Sequence, residues 1–321
     1  MRVWKAVAPL ILGIPVLWLL QSSAPPTLAI VLVNAGVNVI LAVSLNMVNG
    51  FTGQFSLGHA GFMAVGAYTS ALITVAAGDP GAMPPWLWSN GVFLIALLAG
   101  MGLAALMGLL VGIPSLRLRG DYLAIVTLGF NEIIRVFIEN MKVLGGATGI
   151  SGLPPYTSLI WVGLGALAAI VTARRLLVST HGRALLSIRE DEIAAEAMGV
   201  DTTGYKVRAF VLSAAFAGLA GGLLGHYILL VTPKSFTYVK SIEVVVMVVL
   251  GGMGSITGAT VAALSLTGAL ELLRGLDQYR MVMYSFLLVV LMLARPTGLF
   301  GTREIWDIFA ARRRSKAGAA P

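Results

Sequence analysis

Residues 91–113 read GVFLIALLAGMGLAALMGLLVGI, a run without a single Asp, Glu, Lys or Arg. A bilayer core of about 30 Å is crossed by roughly 20 residues of helix, so this stretch is long enough to span it. Residues 28–48, 209–231 and 281–294 are equally free of charge. The apolar residues run on instead of alternating, which selects helices over a membrane barrel. Of 321 residues, 58% are hydrophobic and 11% charged, with mean hydropathy +0.90. A soluble domain carries about 25% charged residues, so this chain lacks the polar surface to cover itself. The fold class is therefore all-α, a polytopic transmembrane helical bundle.

Working outward from these blocks, ten apolar passes are expected, at about 7–21, 28–48, 60–77, 91–114, 121–140, 158–174, 208–231, 241–252, 255–273 and 279–294. Some are interrupted or re-entrant, so the span count is about eight to ten. Residues 1–24 imitate a signal peptide, with Arg2 and Lys5 before an apolar run and Ser22, Ser23 and Ala24 after it. Pro25 directly after that site argues against cleavage, and the segment is expected to be a short membrane helix interrupted by Pro9 and Pro15. The resulting organisation is 1–27 as that helix and a short outer loop, 28–301 as the transmembrane domain, and 302–321 as a basic tail.

Charge sets orientation. With both termini in the cytoplasm and Arg135 within a span, only Lys142, Lys234, Lys240, Arg274 and Arg280 fall outside; the rest of the 22 Lys and Arg residues lie inside. That is the positive-inside asymmetry. The net charge of +8 therefore reflects topology, with Arg312–Lys316 meeting anionic lipid headgroups of the bilayer, and no nucleic acid is needed. The chain has no cysteine, which excludes disulfides, thiolate metal sites and cysteine nucleophiles. His59, His181 and His226 show no ligand spacing, so no metal and no cofactor are expected. Nothing places a nucleophile beside a base, so no catalytic residues are assigned.

Small residues recur at helical spacing, at Gly218, Gly221, Gly222 and Gly225 and at Gly100, Ala104 and Gly108, as close helix packing in lipid requires. Two glycine-rich breaks interrupt the apolar passes with almost no polar spacer: NGFTGQFSLGHAG at 49–61 and GGMGSITG at 251–258. Breaks of this kind expose backbone groups to a cavity in transporters, or are simply tight turns. In the first, Gln54, Ser56 and His59 are candidates for a pore-facing segment. Asn34, Asn38 and Asn46 share roughly one face of the second pass, as pathway lining or as interhelical glue. The fifth pass carries Asn131, Glu132, Arg135 and Glu139. Arg135 lies three residues from Glu132 and four from Glu139, so the three can pair, lining a route or neutralising one another.

The polar stretch 175–207 is the long one inside the chain. Its core, GRALLSIREDEIAAEAMGVD at 182–201, suits a helix from Arg183 to Ala197. Leu185, Ile188, Ala195 and Met198 would form an apolar face, with Glu190, Asp191, Glu192 and Glu196 opposite and Gly199 as the stop. A second helix would begin after Asp201 or Thr202, either of which can cap it. Taken alone, the segment is a helix–turn–helix element lying on the membrane, or a solvated loop.

The run Ala194–Gly199, AAEAMG, is similar to the EAA loop of ABC importer permeases, although Ile193 stands where that pattern has its leading glutamate. The wider segment from Gly182, with NMVNGFTGQFSLGHAGFMAVGAY, LRGDYLAIVTLGFNEIIR, GGATGISGLP and RPTGLFG, resembles the branched-chain amino acid branch of these permeases, of the LivM/LivH type. The resemblance runs from Leu28 to Gly301. It implies an inner-membrane subunit paired with a second, homologous permease, two ABC ATPase subunits, and a periplasmic substrate-binding protein that delivers Leu, Ile or Val. It also implies an ATPase-coupling loop that contains Arg183, Arg189, Glu190, Asp191, Glu192, Ala194, Ala195, Glu196 and Gly199. The absence of GxxxxGK[ST] fits energy drawn from partner subunits. Glu132 is the one carboxylate well inside a span, too few for an ion-coupled carrier. A same-type permease for urea or short amides, a stand-alone carrier or channel, and a purely structural subunit stay open as alternatives.

Overall fold

The computed structural model describes residues 25–78, 84–116 and 122–273, with residues 279, 282, 283, 285, 286, 289, 290, 293, 298–301 and 304 beyond them. The expected first pass at 7–21 and nearly all of the basic tail lie outside the described residues. So does half of the tenth pass.

Ten α-helices are bounded within the described residues. They are α1 (Pro26–Asn49), α2 (His59–Ala76), α3 (Pro85–Ser115), α4 (Tyr122–Asn140), α5 (Leu159–Val178), α6 (Thr180–Glu190), α7 (Glu192–Ala197), α8 (Thr202–Ile228), α9 (Tyr238–Gly251) and α10 (Ile256–Leu272). Five of these, α1, α2, α3, α5 and α8, are long and apolar enough to cross a membrane. At 1.5 Å per residue, α9 with 14 residues reaches only about 21 Å, short of a full crossing. The second glycine break therefore follows a shortened helix.

The helix ends follow local chemistry. Proline opens α1 and α3, at the first turn where its missing N–H costs nothing. Ser179, Asp191, Asp201 and Ser255 cap α6, α7, α8 and α10 by accepting from backbone N–H groups one turn on. The expected seventh pass, 208–231, in fact begins at Thr202, because Asp201 caps there, so the second arm of the polar hairpin and the membrane helix are one continuous rod. It stops at Ile228, and Leu230–Val231 pairs as β2 antiparallel to β1 (Ile150–Ser151), with Ile150 opposite Val231.

The centre of the bundle is α8, packed chiefly against α3 and α2 and also against α1. Lipid is as apolar as a leucine side chain, so helices associate in it by backbone approach. A Cβ at Gly66 would lie 2.2 Å from the Gly218 Cα, and one at Gly221 would lie 1.9 Å from the Met63 carbonyl oxygen. The glycine stripe of α8 is thus a seam that no alanine fits. Phe62 meets Phe210 edge-on at 5.4 Å across the same layer. In contrast, α3 turns Leu94, Ile95, Leu98, Leu106 and Leu110 outward. An apolar outer surface of that extent suits lipid and not water.

Candidate functional site

The polar hairpin forms an elbow. The expected single helix from Arg183 to Ala197 is two, broken at Asp191, whose backbone is extended (φ −156°, ψ 108°). Its Oδ1 accepts from Ile193 N–H at 2.9 Å and Ala194 N–H at 3.0 Å. A short carboxylate bonding its own backbone competes with the helix and starts a new one. After α7, Gly199 takes φ +84°, its N–H donates to Glu196 O at 2.9 Å, and Val200 N–H reaches Ala195 O at 3.1 Å. That is the two-bond glycine stop.

Leu185, Ile188 and Ala195 are buried, as the apolar face requires. Met198 is not: it is 84% exposed, and Ile193 is 69% exposed. The break gives α7 its own rotational phase, which turns Met198 away from the bundle. Arg183, Glu190, Asp191, Ala194, Glu196 and Gly199 are exposed, while Arg189 and Glu192 are half-buried. Glu192 Oε2 meets Lys206 Nζ at 2.6 Å, and Lys206 is 1% exposed. This ion pair fastens α7 to the second turn of α8.

Inside the elbow, the two glycine breaks meet. Asn46 Oδ1 accepts from Gly254 N–H at 2.9 Å, and Asn46 Nδ2 donates to Ser255 O at 3.1 Å. Arg189 Nη1 donates to Gly50 O at 3.1 Å. The end of the RPTGLFG stretch returns to the same place, with Leu299 N–H on Leu250 O and Phe300 N–H on Gly251 O. Glu304, which falls beyond the expected domain boundary at 301, is 3% exposed. Its carboxylate accepts from Ile256 N–H at 2.6 Å, from Thr257 N–H at 3.1 Å and from the Thr257 hydroxyl.

The remaining candidates lie deeper. His59 Nε2 is 2.9 Å from Ser44 Oγ, five residues before the end of α1, so α2 begins about 8 Å inside that end. Lys240, in the first turn of α9, donates to Asn38 Oδ1 at 3.2 Å near the midpoint of α1, and Asn38 Nδ2 donates to Thr267 at 2.9 Å. Both α2 and α9 thus start within the bundle. Their first turns meet where Ala60 N–H donates to Ser241 Oγ at 2.9 Å. Leu57 N–H donates to Thr127 Oγ1 of α4 at 3.0 Å, and Ser56 N–H to Asn49 Oδ1 at 3.2 Å. Asn131 is fully buried beside Gly61, and neither of its side-chain polar atoms has a partner among the described residues; Gln54 Oε1 is likewise buried and without a partner among them. Glu132 Oε2 and Glu139 Oε2 each hold Arg135 at 2.8 Å, and Glu132 Oε1 receives Tyr238 N–H at 3.4 Å. Asn34 is half-buried on α1, one turn before Asn38.

Sequence reasoning missed Lys206, Ser241, Thr127 and Glu304. Each is a common residue whose role arises from a partner far along the chain, and no local pattern marks it.

A helical bundle with an outward apolar surface, two interior helix starts and a capped polar elbow defines a polytopic membrane permease. The sequence profile of the family described as branched-chain amino acid transport system / permease component matches residues 27–295, and the chain belongs to that family. It is 39% identical over 296 residues to the high-affinity branched-chain amino acid transport system permease protein LivM of Salmonella typhimurium, covering 81% of this chain and 67% of that one. To the probable branched-chain amino acid transport permease protein LivM of Methanocaldococcus jannaschii it is 27% identical over 275 residues, 74% of this chain and 78% of that one. To the LivH permease protein of Escherichia coli K12 it is 26% identical over 297 residues, 83% of this chain and 92% of that one. No solved structure matches the chain significantly.

Proposed function

We propose that this chain is the translocating subunit of an ATP-driven importer of Leu, Ile and Val, with both termini and the elbow in the cytoplasm. It works beside a second, homologous permease, two ATPase subunits and a periplasmic binding protein. The observation that carries the reading is the elbow's construction. Its apolar residues Leu185, Ile188 and Ala195 and the buried Lys206 fix it to the bundle, while Ile193, Met198, Glu190, Asp191 and Glu196 face outward. A surface that pairs bare apolar side chains with acids is suited to a protein partner with an apolar pocket and a basic rim. Similarity to both LivM and LivH supports a homologous second permease.

The route follows the polar group where α2 and α9 begin, lined from α4 by Asn131, Glu132 and Arg135. Interior helix starts turn their positive dipole ends toward this group, which favours a carboxylate, and Glu132 places a negative charge there for an ammonium. Closure of the ATPases would move the elbows and reverse the opening of the permease pair. Selectivity rests mainly with the binding protein.

The test is capture. Affinity-purified wild-type chain brings down an ATPase subunit and supports uptake of labelled leucine in its host. Replacing Ile193 and Met198 with Glu abolishes both while leaving the chain in the membrane at normal abundance. Leucine uptake without any bound ATPase would defeat the reading.

A further inference from the structure

Arg189 is one residue from the end of α6, and its side chain is where the elbow touches both glycine breaks. Nη1 donates to Gly50 O at 3.1 Å, and Nη2 meets Glu190 Oε1 at 2.9 Å. Gly50 ends α1, so its carbonyl lies at the negative pole of that helix and favours a cation. The backbone is cut away around this one side chain. A Cβ at Gly53 would lie 2.8 Å from Arg189 Cγ, and a Cβ at Gly254 would lie 2.8 Å from Arg189 Nη1. Gly50 and Gly254 are themselves in contact, since a Cβ at Gly50 would lie 2.4 Å from Gly254 N. Asn46 bonds the second break from above, through Gly254 N–H and Ser255 O. One guanidinium thus bonds the elbow to the end of α1 and lies directly against the break that follows α9. Its planar fork holds two acceptors in fixed directions, which an ammonium cannot do.

We propose that Arg189 is a positioning residue that carries displacement of the elbow into the two glycine breaks, and that it does not itself form the ATPase-binding surface. This rests on the importer reading. A residue that merely stabilised the fold would lower assembly, hydrolysis and uptake together. A link in the transmission lowers uptake relative to hydrolysis.

The chain has no cysteine, which makes a decisive pair of variants available. A Cβ at Gly53 would lie 3.5 Å from Arg189 Cβ, within the range that a disulfide bridges. The whole captured complex is reconstituted in vesicles with its binding protein, and leucine uptake per ATP hydrolysed is measured. Arg189→Ala is expected to copurify its ATPase normally and to hydrolyse ATP, with uptake per ATP reduced roughly tenfold. Arg189→Lys recovers part of the loss. The double variant Arg189→Cys with Gly53→Cys is uncoupled when reduced and recoupled when oxidised, while Gly53→Cys alone does not respond to oxidation. An unchanged ratio in Arg189→Ala, or an oxidised double variant that stays uncoupled, would each overturn the proposal. Loss of ATPase capture from Arg189→Ala would assign the residue to the docking surface, and would overturn it too. Failure of the wild-type chain to capture an ATPase would strike the importer reading instead.

Discussion

The two glycine-rich breaks look alike in sequence and are built differently. The second is closed from its own side of the bundle: Ser255 caps α10 through Gly258 N–H at 3.0 Å, and Glu304 takes the next two amides. In the first, no side chain among the described residues caps α2 at Gly58, and the Leu57 and Ala60 amides are given to hydroxyls on other helices, Thr127 of α4 and Ser241 of α9. One break carries a cap of its own besides the bonds it takes from Asn46 and Glu304; the helix after the other depends on where α4 and α9 stand. A segment whose hydrogen bonds are borrowed from α4 and α9 changes when those helices move, which is what a gated path needs.

The largest expected effect falls on the second break. Glu304→Ala leaves the buried Ile256 amide and the half-buried Thr257 amide without this acceptor and costs about 2–3 kcal/mol, read as a lower thermal midpoint of the purified complex. Ser255→Ala removes one cap and costs about 1 kcal/mol by the same measurement. At the first break the pattern differs. Ser241→Ala also costs about 1 kcal/mol, but it is expected to lower leucine uptake well beyond what reduced abundance explains, because its hydroxyl joins the first turns of α2 and α9 along the proposed route. Asn131→Leu goes the opposite way. Deleting two buried, unpartnered polar atoms raises stability by about 1 kcal/mol, while uptake falls. If Ser241→Ala and Ser255→Ala changed uptake equally, the contrast between the breaks would be lost.

How much was legible follows from the range of each interaction. The apolar runs of α1 and α3 announced themselves, as did the Asp201 cap, the Gly199 stop and the Glu132–Arg135–Glu139 pairing, all set by residues within one turn. The break at Asp191 was hidden inside three consecutive acids that read as a solvated helix face. Only the bonds to Ile193 and Ala194 distinguish that aspartate from its neighbours. Met198 was placed on the wrong face because one helix was assumed where two with independent phase exist. The contacts Asn46–Gly254, Arg189–Gly50 and Glu304–Ile256 join residues 208, 139 and 48 positions apart, beyond any periodicity.

The account turns on the elbow being a handle that a motor subunit grips from the cytosol. Because the chain lacks cysteine, Met198→Cys supplies a single thiol at the elbow's exposed tip. A membrane-impermeant maleimide is expected to label it in inverted vesicles and not in intact spheroplasts, and a short cross-linker there to capture an ATPase. Labelling in spheroplasts, or an adduct with no nucleotide-hydrolysing protein, would contradict the account.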